Sequence, residues 1–395
     1  MNKNKLIYDI YFSIMIIFLF EPNIFVKYNI VNMLFIFGAA ISFFSIFMIF
    51  LKYKINLNKP LLFMILYRII ALLSTIIYGG DILKVGYQSL IIISLLMYAS
   101  FFYERGKINY FLKIILNIFI TYLTFNILSY IMFPNGLYSI NTKMFFLGIR
   151  TRFTEYSLSC IILSIICYKN KTITLLKELL CIFISMLNII LPNISTAYVG
   201  ILFFIPFYII LKKLTLNKSK TNYKLIIIPI SIITILIVFA RIQNLFSFLI
   251  VDILGKDLTL SNRTYIWDLA IQVIKSGNLI IGNGYILDGN FVPFAYGNWQ
   301  AHNQLLQLFY ETGFLGLLAF LGFIMSSLKT TKKKNTKTDI LIIASVGALL
   351  VMMITEIYAY FIASYIVFIL CYYRDSINNA GDENNEKSKY NNTCI

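Results

Sequence analysis

Apolar runs long enough to cross a lipid bilayer recur through almost the whole chain, and no other feature limits its fold as strongly. A membrane-spanning helix needs about 20 residues, with a range of roughly 17 to 25. About twelve such runs meet or approach this length, at 6–21, 30–51, 61–78, 83–102, 108–132, 154–168, 174–191, 195–211, 225–240, 304–328, 339–355 and 357–373. Because 59% of the 395 residues are hydrophobic, which is more than soluble domains carry, the sequence predicts an all-α polytopic integral membrane protein.

The distribution of Lys and Arg predicts how these helices are oriented. Cytoplasmic loops of membrane proteins carry an excess of both residues. With a cytoplasmic N-terminus, the alternate loops on the inner side hold most of the Lys and Arg of this chain. We therefore expect both termini in the cytoplasm and the protein in the cytoplasmic membrane. Since the net charge of +17 is spread loop by loop, it gives no support to nucleic-acid binding.

The predicted spans divide the chain into parts with different roles. Spans one to nine occupy 1–240 and include a smaller outer loop at 133–156, and a large outer loop follows at 241–303. Spans ten to twelve occupy 304–373, and 374–395 form a polar, disordered cytoplasmic tail. Long loops usually carry function, so the large outer loop is where we expect a site. No cysteine or acidic spacing typical of a metal site occurs, and we expect neither a metal nor a cofactor.

His302 is the one histidine of the chain, and it lies at the predicted start of the tenth span. Imidazole is the side chain best suited to proton transfer near neutral pH. A polar stripe at helical spacing continues from it through Gln304 to Glu311, and such a stripe faces protein or water rather than lipid. His302 is therefore the leading candidate for catalysis; the alternative is a helix cap at the membrane interface.

Residues 261–276 are predicted to form a helix within the large outer loop. Ser261 is a favourable N-cap residue, apolar residues recur at helical spacing, and Gly277 follows where the helix should end. Arg263 would then lie in the first turn, where free backbone N–H groups already favour an anion. Its planar guanidinium can bind phosphate oxygens in a bidentate way, and an interfacial arginine without a ligand is the alternative.

Three further arginines lie at predicted outer positions. Arg150 and Arg152 stand close together against the loop charge bias, which indicates an anionic ligand, although a salt bridge from either one to Glu155 explains them equally well. Arg241, at the end of the ninth span, joins the same basic surface or extends to the lipid headgroups. The GNGY sequence at 282–285 lacks the third glycine and the strand of a dinucleotide-binding loop, so it is predicted to be a tight turn.

Three segments together resemble the O-antigen polymerase and O-antigen ligase superfamily, which are integral-membrane glycosyltransferases of the C type (GT-C). They are RTRFTEYS in the smaller outer loop, SNRTYIW through GNGY in the large loop, and HNQLLQLFYETGFLGLLAFL at its exit. The third segment is the most specific. The resemblance implies a GT-C-like fold with its active site on the outer face of the membrane.

The resemblance also implies a mechanism, which is metal-independent glycosyl transfer with inversion. His302 would act as the base on an acceptor hydroxyl, while arginines stabilise the departing diphosphate. The expected residues are His302 and Arg263 for catalysis, Arg263, Arg241 and either Arg150 or Arg152 for the diphosphate, and Asn303, Gln304 and Glu311 for support.

Within this superfamily we favour a polymerase that joins undecaprenyl-diphosphate-linked oligosaccharide repeat units into a capsular or O-antigen polysaccharide. One alternative is a ligase that passes a lipid-linked glycan to a final acceptor, and another is a flippase or transporter. Transporters place ionisable groups near the bilayer midplane, whereas here only Arg68 lies deep in a span. Membrane lipids, a flippase and a chain-length regulator are the implied partners.

Overall fold

Helices make up nearly all the regular structure of the computed structural model, which describes residues 3–140, 142–215, 224–241, 245, 247–253, 263–285, 300–329 and 335–377. The helices are α1 (Lys3–Ile17), α2 (Asn29–Tyr53), α3 (Lys59–Ile77), α4 (Ile82–Glu104), α5 (Ile108–Met132), α6 (Phe153–Lys169), α7 (Leu175–Ile190), α8 (Ser195–Thr215), α9 (Lys224–Ala240), α10 (Arg263–Ser276), α11 (Gln304–Leu328) and α12 (Lys337–Met352). Residues 365–377 are helical as well. The disordered tail predicted at 374–395 is therefore wrong for 374–377, and 378–395 lie outside the described residues. Short 3-10 or π turns lie at Asn23–Lys27, Arg150–Arg152, Phe248–Ile253 and Ile362–Ser364.

The one sheet in the described ranges is a short antiparallel hairpin between α5 and α6. Its strands are β1 (Tyr138–Ile140) and β2 (Thr142–Met144), and the register pairs Tyr138 with Met144. The hairpin belongs to the smaller loop that was predicted at 133–156. Residues 145–149 connect the hairpin to the turn Arg150–Arg152, which leads into α6.

Six helices in the described ranges are long and apolar enough to cross a membrane, namely α2, α3, α4, α5, α8 and α11. Large apolar side chains such as Ile30, Phe44 and Leu83 are exposed on their surfaces, as expected for faces that contact lipid. The prediction of an all-α multi-pass membrane protein is confirmed at this level. The remaining predicted spans correspond to shorter helices, so twelve crossings and the GT-C-like fold stay predictions.

The last predicted span differs from the structure. It was placed at 357–373, but 353–361 are not helical and the final helix begins at residue 365. The backbone N–H groups of Tyr358 and Ala359 donate to the Gln304 side chain at 2.7 and 2.8 Å instead of to helical carbonyls. Both residues are buried inside the protein, and their backbone is held by the Gln304 side chain in place of helical hydrogen bonds.

Arg68, the basic residue deep in α3, joins two helices. Its Nε donates to Ser89 Oγ of α4 at 3.1 Å, and its Nη2 lies 3.4 Å from Gln88 Oε1. The guanidinium also lies over the Tyr67 ring. These contacts show that Arg68 contributes to the packing of α3 against α4.

Helix α11 is broken at Gly313, where the backbone adopts φ 58° and ψ −160°. The predicted GNGY turn lies against this break. The Asn283 and Gly284 N–H groups donate to the carbonyls of Tyr310 and Glu311, while those of Phe314 and Leu315 donate to the carbonyls of Leu279 and Ile280, all at 2.8–3.1 Å. The loop therefore replaces the helical hydrogen bonds that the break removes.

We expect Gly313→Ala to destabilise the protein strongly. An alanine Cβ would lie 2.4 Å from the Ile280 carbonyl carbon, and the left-handed conformation alone costs an L-residue about 1–2 kcal/mol. The control is Gly106→Ala, since Gly106 has φ +64° and nothing within 4 Å of its Cβ position. Thermal unfolding in detergent should show a clearly larger drop in Tm for the first variant. Equal drops would mean that the loop does not pack tightly in the break.

Candidate functional site

The site begins with α10, whose first residue is Arg263. The predicted helix is confirmed from Arg263 to Ser276, while Ser261 lies outside the described residues. Trp267 is fully buried and packs in a small cluster with Leu306 and Tyr310 of α11. Its indole Nε1 donates to the Ala301 carbonyl at 3.0 Å. This contact fixes α10 against the residues that precede α11, and so holds Arg263 near His302.

The residues on either side of His302 form hydrogen bonds to α11. The Ala301 N–H donates to Gln307 Oε1 at 2.7 Å. Asn303 is the N-cap of α11: its Oδ1 accepts from the Leu306 N–H at 3.0 Å. His302 itself has φ 47°, in the left-handed region. Because both neighbours are hydrogen-bonded to α11, the backbone at His302 is fixed relative to that helix.

Residues 353–361 approach His302 because Asn303 and Gln304 bind them. Asn303 Nδ2 donates to the Ile354 carbonyl at 2.9 Å, and the Gln304 N–H donates to the Met353 carbonyl at 2.9 Å. Gln304 Oε1 accepts from the Tyr358 and Ala359 N–H groups. Two of the three residues that were predicted to support the site, Asn303 and Gln304, therefore shape the segment that contains Glu356.

Glu356 joins the two residues predicted to be catalytic. Arg263 Nη2 donates to Glu356 Oε1 at 2.6 Å, and His302 Nδ1 lies 3.5 Å from Glu356 Oε2. The Glu356 side chain is 9% exposed, and those of Arg263 and His302 are 19% and 23% exposed. We call Arg263, His302 and Glu356 the outer cluster. It is a nearly buried carboxylate flanked by two nitrogen groups that remain partly accessible.

The charge of Glu356 follows from these neighbours. Burial by itself raises the pKa of a carboxyl group, but the His302 ring and the Arg263 guanidinium together outweigh it, so that the pKa of Glu356 lies below its ordinary value. The carboxylate is therefore ionised at neutral pH. The contacts of the Glu356 carboxylate therefore stabilise the folded protein at pH values above the ordinary pKa of glutamate, about 4.3. This stabilisation is lost only as the pH falls through the lower pKa that Glu356 has in the folded protein.

The other predicted arginines lie apart from the outer cluster. Arg241 pairs with Asp268 of α10 and donates to the Thr264 carbonyl at 3.1 Å. Arg150 donates to the Pro192 carbonyl at 3.3 Å, at the end of α7. Both contacts are explained by packing between elements.

Arg152 has different surroundings from Arg150. Its guanidinium lies over the Phe361 ring, 3.4 Å from the centroid, and Nη1 is 3.9 Å from Glu155 Oε1. It lines a cavity of about 900 Å³. Phe361 belongs to the same non-helical segment as Glu356, so the structure relates Arg152, and not Arg150, to the segment that carries the outer cluster.

Glu311 lies further along α11 and contacts other residues than His302. Its Oε1 accepts from Gln307 Nε2 at 2.7 Å and from the Tyr360 hydroxyl. Its backbone carbonyl accepts from Ser74 Oγ at 2.9 Å. Glu311 thus connects α3, the break in α11 and the segment after α12, which is a supporting role.

Sequence reasoning missed Glu356 as a site residue. It is the only acidic residue between Asp339 and Asp375, within a long apolar stretch. An isolated charge in such a stretch is a functional candidate by the energetics of burial alone. Assigning the stretch to two spans placed Glu356 at the turn between them, where a charge needs no explanation.

Together, the apolar helices and the outer cluster define a multi-pass membrane protein with an arginine, a carboxylate and a histidine gathered where α10, α11 and the segment after α12 meet. Residues 180–321 match the family described as O-antigen ligase, which confirms the resemblance to the O-antigen polymerase and ligase superfamily. Proteins of that family are glycosyltransferase-like enzymes that act on lipid-linked glycans.

The matched segment contains Arg241, Arg263, His302 and Glu311, whereas Arg150, Arg152 and Glu356 lie outside it. No curated protein matches the chain. The match supports a function of the O-antigen polymerase or ligase type in general. The reaction, substrate and residue roles are matters of proposal.

Proposed function

We propose that this protein polymerises undecaprenyl-diphosphate-linked oligosaccharide repeat units into a surface polysaccharide at the outer face of the cytoplasmic membrane. The observation that carries the proposal is the outer cluster, in which Glu356 brings together Arg263 and His302. A base beside an anion-binding group is what glycosyl transfer from a diphosphate requires. Membrane lipids, a flippase that supplies the substrate and a chain-length regulator are the partners that fit this role.

His302 is the proposed general base. The Glu356 carboxylate faces Nδ1, which favours the tautomer that carries its proton on Nδ1 and leaves Nε2 as the basic atom. An acceptor sugar hydroxyl loses its proton to Nε2 while its oxygen attacks the anomeric carbon of the lipid-linked glycan. The bond from that carbon to the diphosphate breaks as the new glycosidic bond forms, so the configuration inverts.

Arg263 is the proposed group that stabilises the departing diphosphate. It is the first described residue of α10, and the positive end of the helix dipole adds to the positive potential there. Its contact with Glu356 holds the guanidinium in one orientation, and a prepositioned cation stabilises developing negative charge without reorganisation.

Arg152 is the better candidate for the second diphosphate contact, since it lies against Phe361 in the segment that also carries Glu356. Arg150 is the alternative within the same pair. Arg241 is bonded to α10 and helps to hold that helix, and with it Arg263, in place. With arginines in this role the reaction needs no metal and no cofactor.

The first experiment on this proposal is a gel analysis of surface glycan and lipid-linked intermediates from cells that lack the protein. We expect lipid-linked single repeat units to accumulate on the outer side of the membrane, because elongation stops while synthesis and export continue. Full-length lipid-linked polymer without its final acceptor would identify a ligase instead. Single units retained on the inner side would identify a flippase, and an unchanged profile would overturn the assignment to surface glycan synthesis.

A further inference from the structure

A cavity of about 900 Å³ is lined in part by Tyr360, Phe361 and Ile362, which follow Glu356 in the chain. It is bounded by the C-terminal end of α1, the N-terminal ends of α2, α4 and α6, and residues 360–362. In the predicted topology all these ends are on the outer side of the membrane. Its volume is within the range of pockets that hold small organic ligands, roughly 300–1,000 Å³.

Two carboxylates in the cavity wall have buried oxygens without a hydrogen-bond partner among the described residues. They are Glu21 Oε1 and Glu155 Oε2, and Glu155 as a residue is only 4% exposed. The other oxygen of Glu21 accepts from the Tyr87 hydroxyl at 3.1 Å. Buried polar atoms normally have partners, so these two oxygens indicate a ligand that supplies hydrogen-bond donors.

The donors that suit these oxygens are hydroxyl groups. A phosphate or diphosphate has only acceptor oxygens when ionised, so it cannot supply the hydrogen-bond donors that these two oxygens need.

A sugar provides several hydroxyl donors on a ring whose C–H faces pack against aromatic side chains. The cavity wall offers the rings of Tyr87, Tyr156, Tyr360 and Phe361 for such packing, and the amides of Asn23, Asn32 and Gln88 for further hydrogen bonds.

We propose that this cavity binds sugar units of the glycan substrate, with Glu21, Tyr87 and Glu155 as the main hydrogen-bonding residues. The inference rests on the proposed function for the identity of the glycan. The segment after α12 contributes to both sites, since Glu356 is in the outer cluster and Phe361 lines the cavity. A glycan in the cavity is therefore held with one end near His302, and the cavity selects which repeat unit reacts.

Binding of a lipid-free glycan to the purified full-length protein tests this subsite. The probe is the oligosaccharide released by mild acid from the lipid-linked glycan that accumulates in cells lacking the protein, with binding measured by calorimetry in detergent. We expect Tyr87→Phe and Glu21→Gln each to raise the Kd by up to about tenfold, as loss of one hydrogen bond does. Glu155→Gln should act in the same direction.

The chain offers a matched control at the other end of α1. The Tyr110 hydroxyl donates to Asp9 Oδ1 at 2.8 Å, which is the same type of pair at the predicted inner side and away from the cavity. Tyr110→Phe and Asp9→Asn should leave the Kd unchanged. Equal effects of the two pairs of variants would overturn the proposal.

The same assay separates this proposal from the proposed function. His302→Asn removes the proposed base and should bind the glycan as tightly as the wild type, because the cavity is intact. Elongation by His302→Asn would contradict the catalytic proposal and leave the sugar subsite standing. Wild-type affinity in the Tyr87 and Glu21 variants would remove the subsite and leave the catalytic proposal standing.

Discussion

Replacing His302 by asparagine should abolish chain elongation while leaving the amount of protein in the membrane unchanged. Asparagine is the informative substitution because His302 has φ 47°, a conformation that asparagine adopts far more readily than alanine. The variant therefore loses the basic imidazole and keeps the backbone. General-base removal typically costs 10²–10⁴-fold in rate, and the loss should be visible as single lipid-linked units on a gel.

His302→Ala should lose activity to the same extent but show a somewhat lower Tm, because alanine is strained at positive φ. Comparison of the two variants separates chemistry from folding. A His302→Asn protein that elongates glycan at more than a tenth of the wild-type rate would show that another group accepts the proton.

Arg263→Lys should lose most of the activity, on the order of 10–100-fold, although the charge is kept. Arg263 reaches Glu356 Oε1 at 2.6 Å with one guanidinium nitrogen, and a planar guanidinium has further N–H groups for phosphate oxygens. An ammonium is a single compact charge, so it cannot hold Glu356 and bind diphosphate in the same geometry. The rate of elongation in membranes, with protein amounts matched, is the measurement.

Arg105→Lys provides the control for this change. Arg105 lies over the Tyr53 ring, 4.1 Å from its centroid, at the predicted inner end of α4 and far along the helix from the cavity. The same substitution there should leave elongation unchanged. Near-normal elongation by Arg263→Lys would show that a point charge suffices and would remove the bidentate contact from the mechanism.

Much of the helical structure follows from local sequence pattern. The span predicted at 108–132 has the bounds of α5, and that predicted at 304–328 has the bounds of α11. The length of an apolar run and the polar residues that flank it determine where such a helix begins and ends, and both are visible in the sequence. The helix that begins near Arg263 was predictable for the same reason, because an apolar stripe and a following glycine are local signals.

The break at Gly313 was not predictable from local pattern, since α11 reads as one continuous apolar helix. It exists because a distant loop supplies the hydrogen bonds that the helix gives up. The segment after α12 was misread for the same physical reason: Gln304, far away in the chain, bonds to its backbone. Contacts between remote segments leave little trace in hydrophobic periodicity.

The grouping of the candidate residues followed from the sequence only in part, and their roles stay predictions. His302 and Arg263 were identified from residue type and position, and the structure brings them together through Glu356, which sequence reasoning missed. Arg150 and Arg152 could not be separated by sequence because they are two residues apart in a degenerate pattern. Their neighbours separate them: Arg150 contacts Pro192 and Arg152 lies on Phe361.

The central claim is that the outer cluster catalyses the joining of lipid-linked repeat units. Its most direct test is to incubate purified protein in liposomes with undecaprenyl-diphosphate-linked single repeat units and to resolve the products on a gel. The wild type should yield a ladder of longer lipid-linked glycans, and His302→Asn should leave only the single unit. A ladder from His302→Asn, or none from the wild type under conditions where it binds the glycan, would contradict the account.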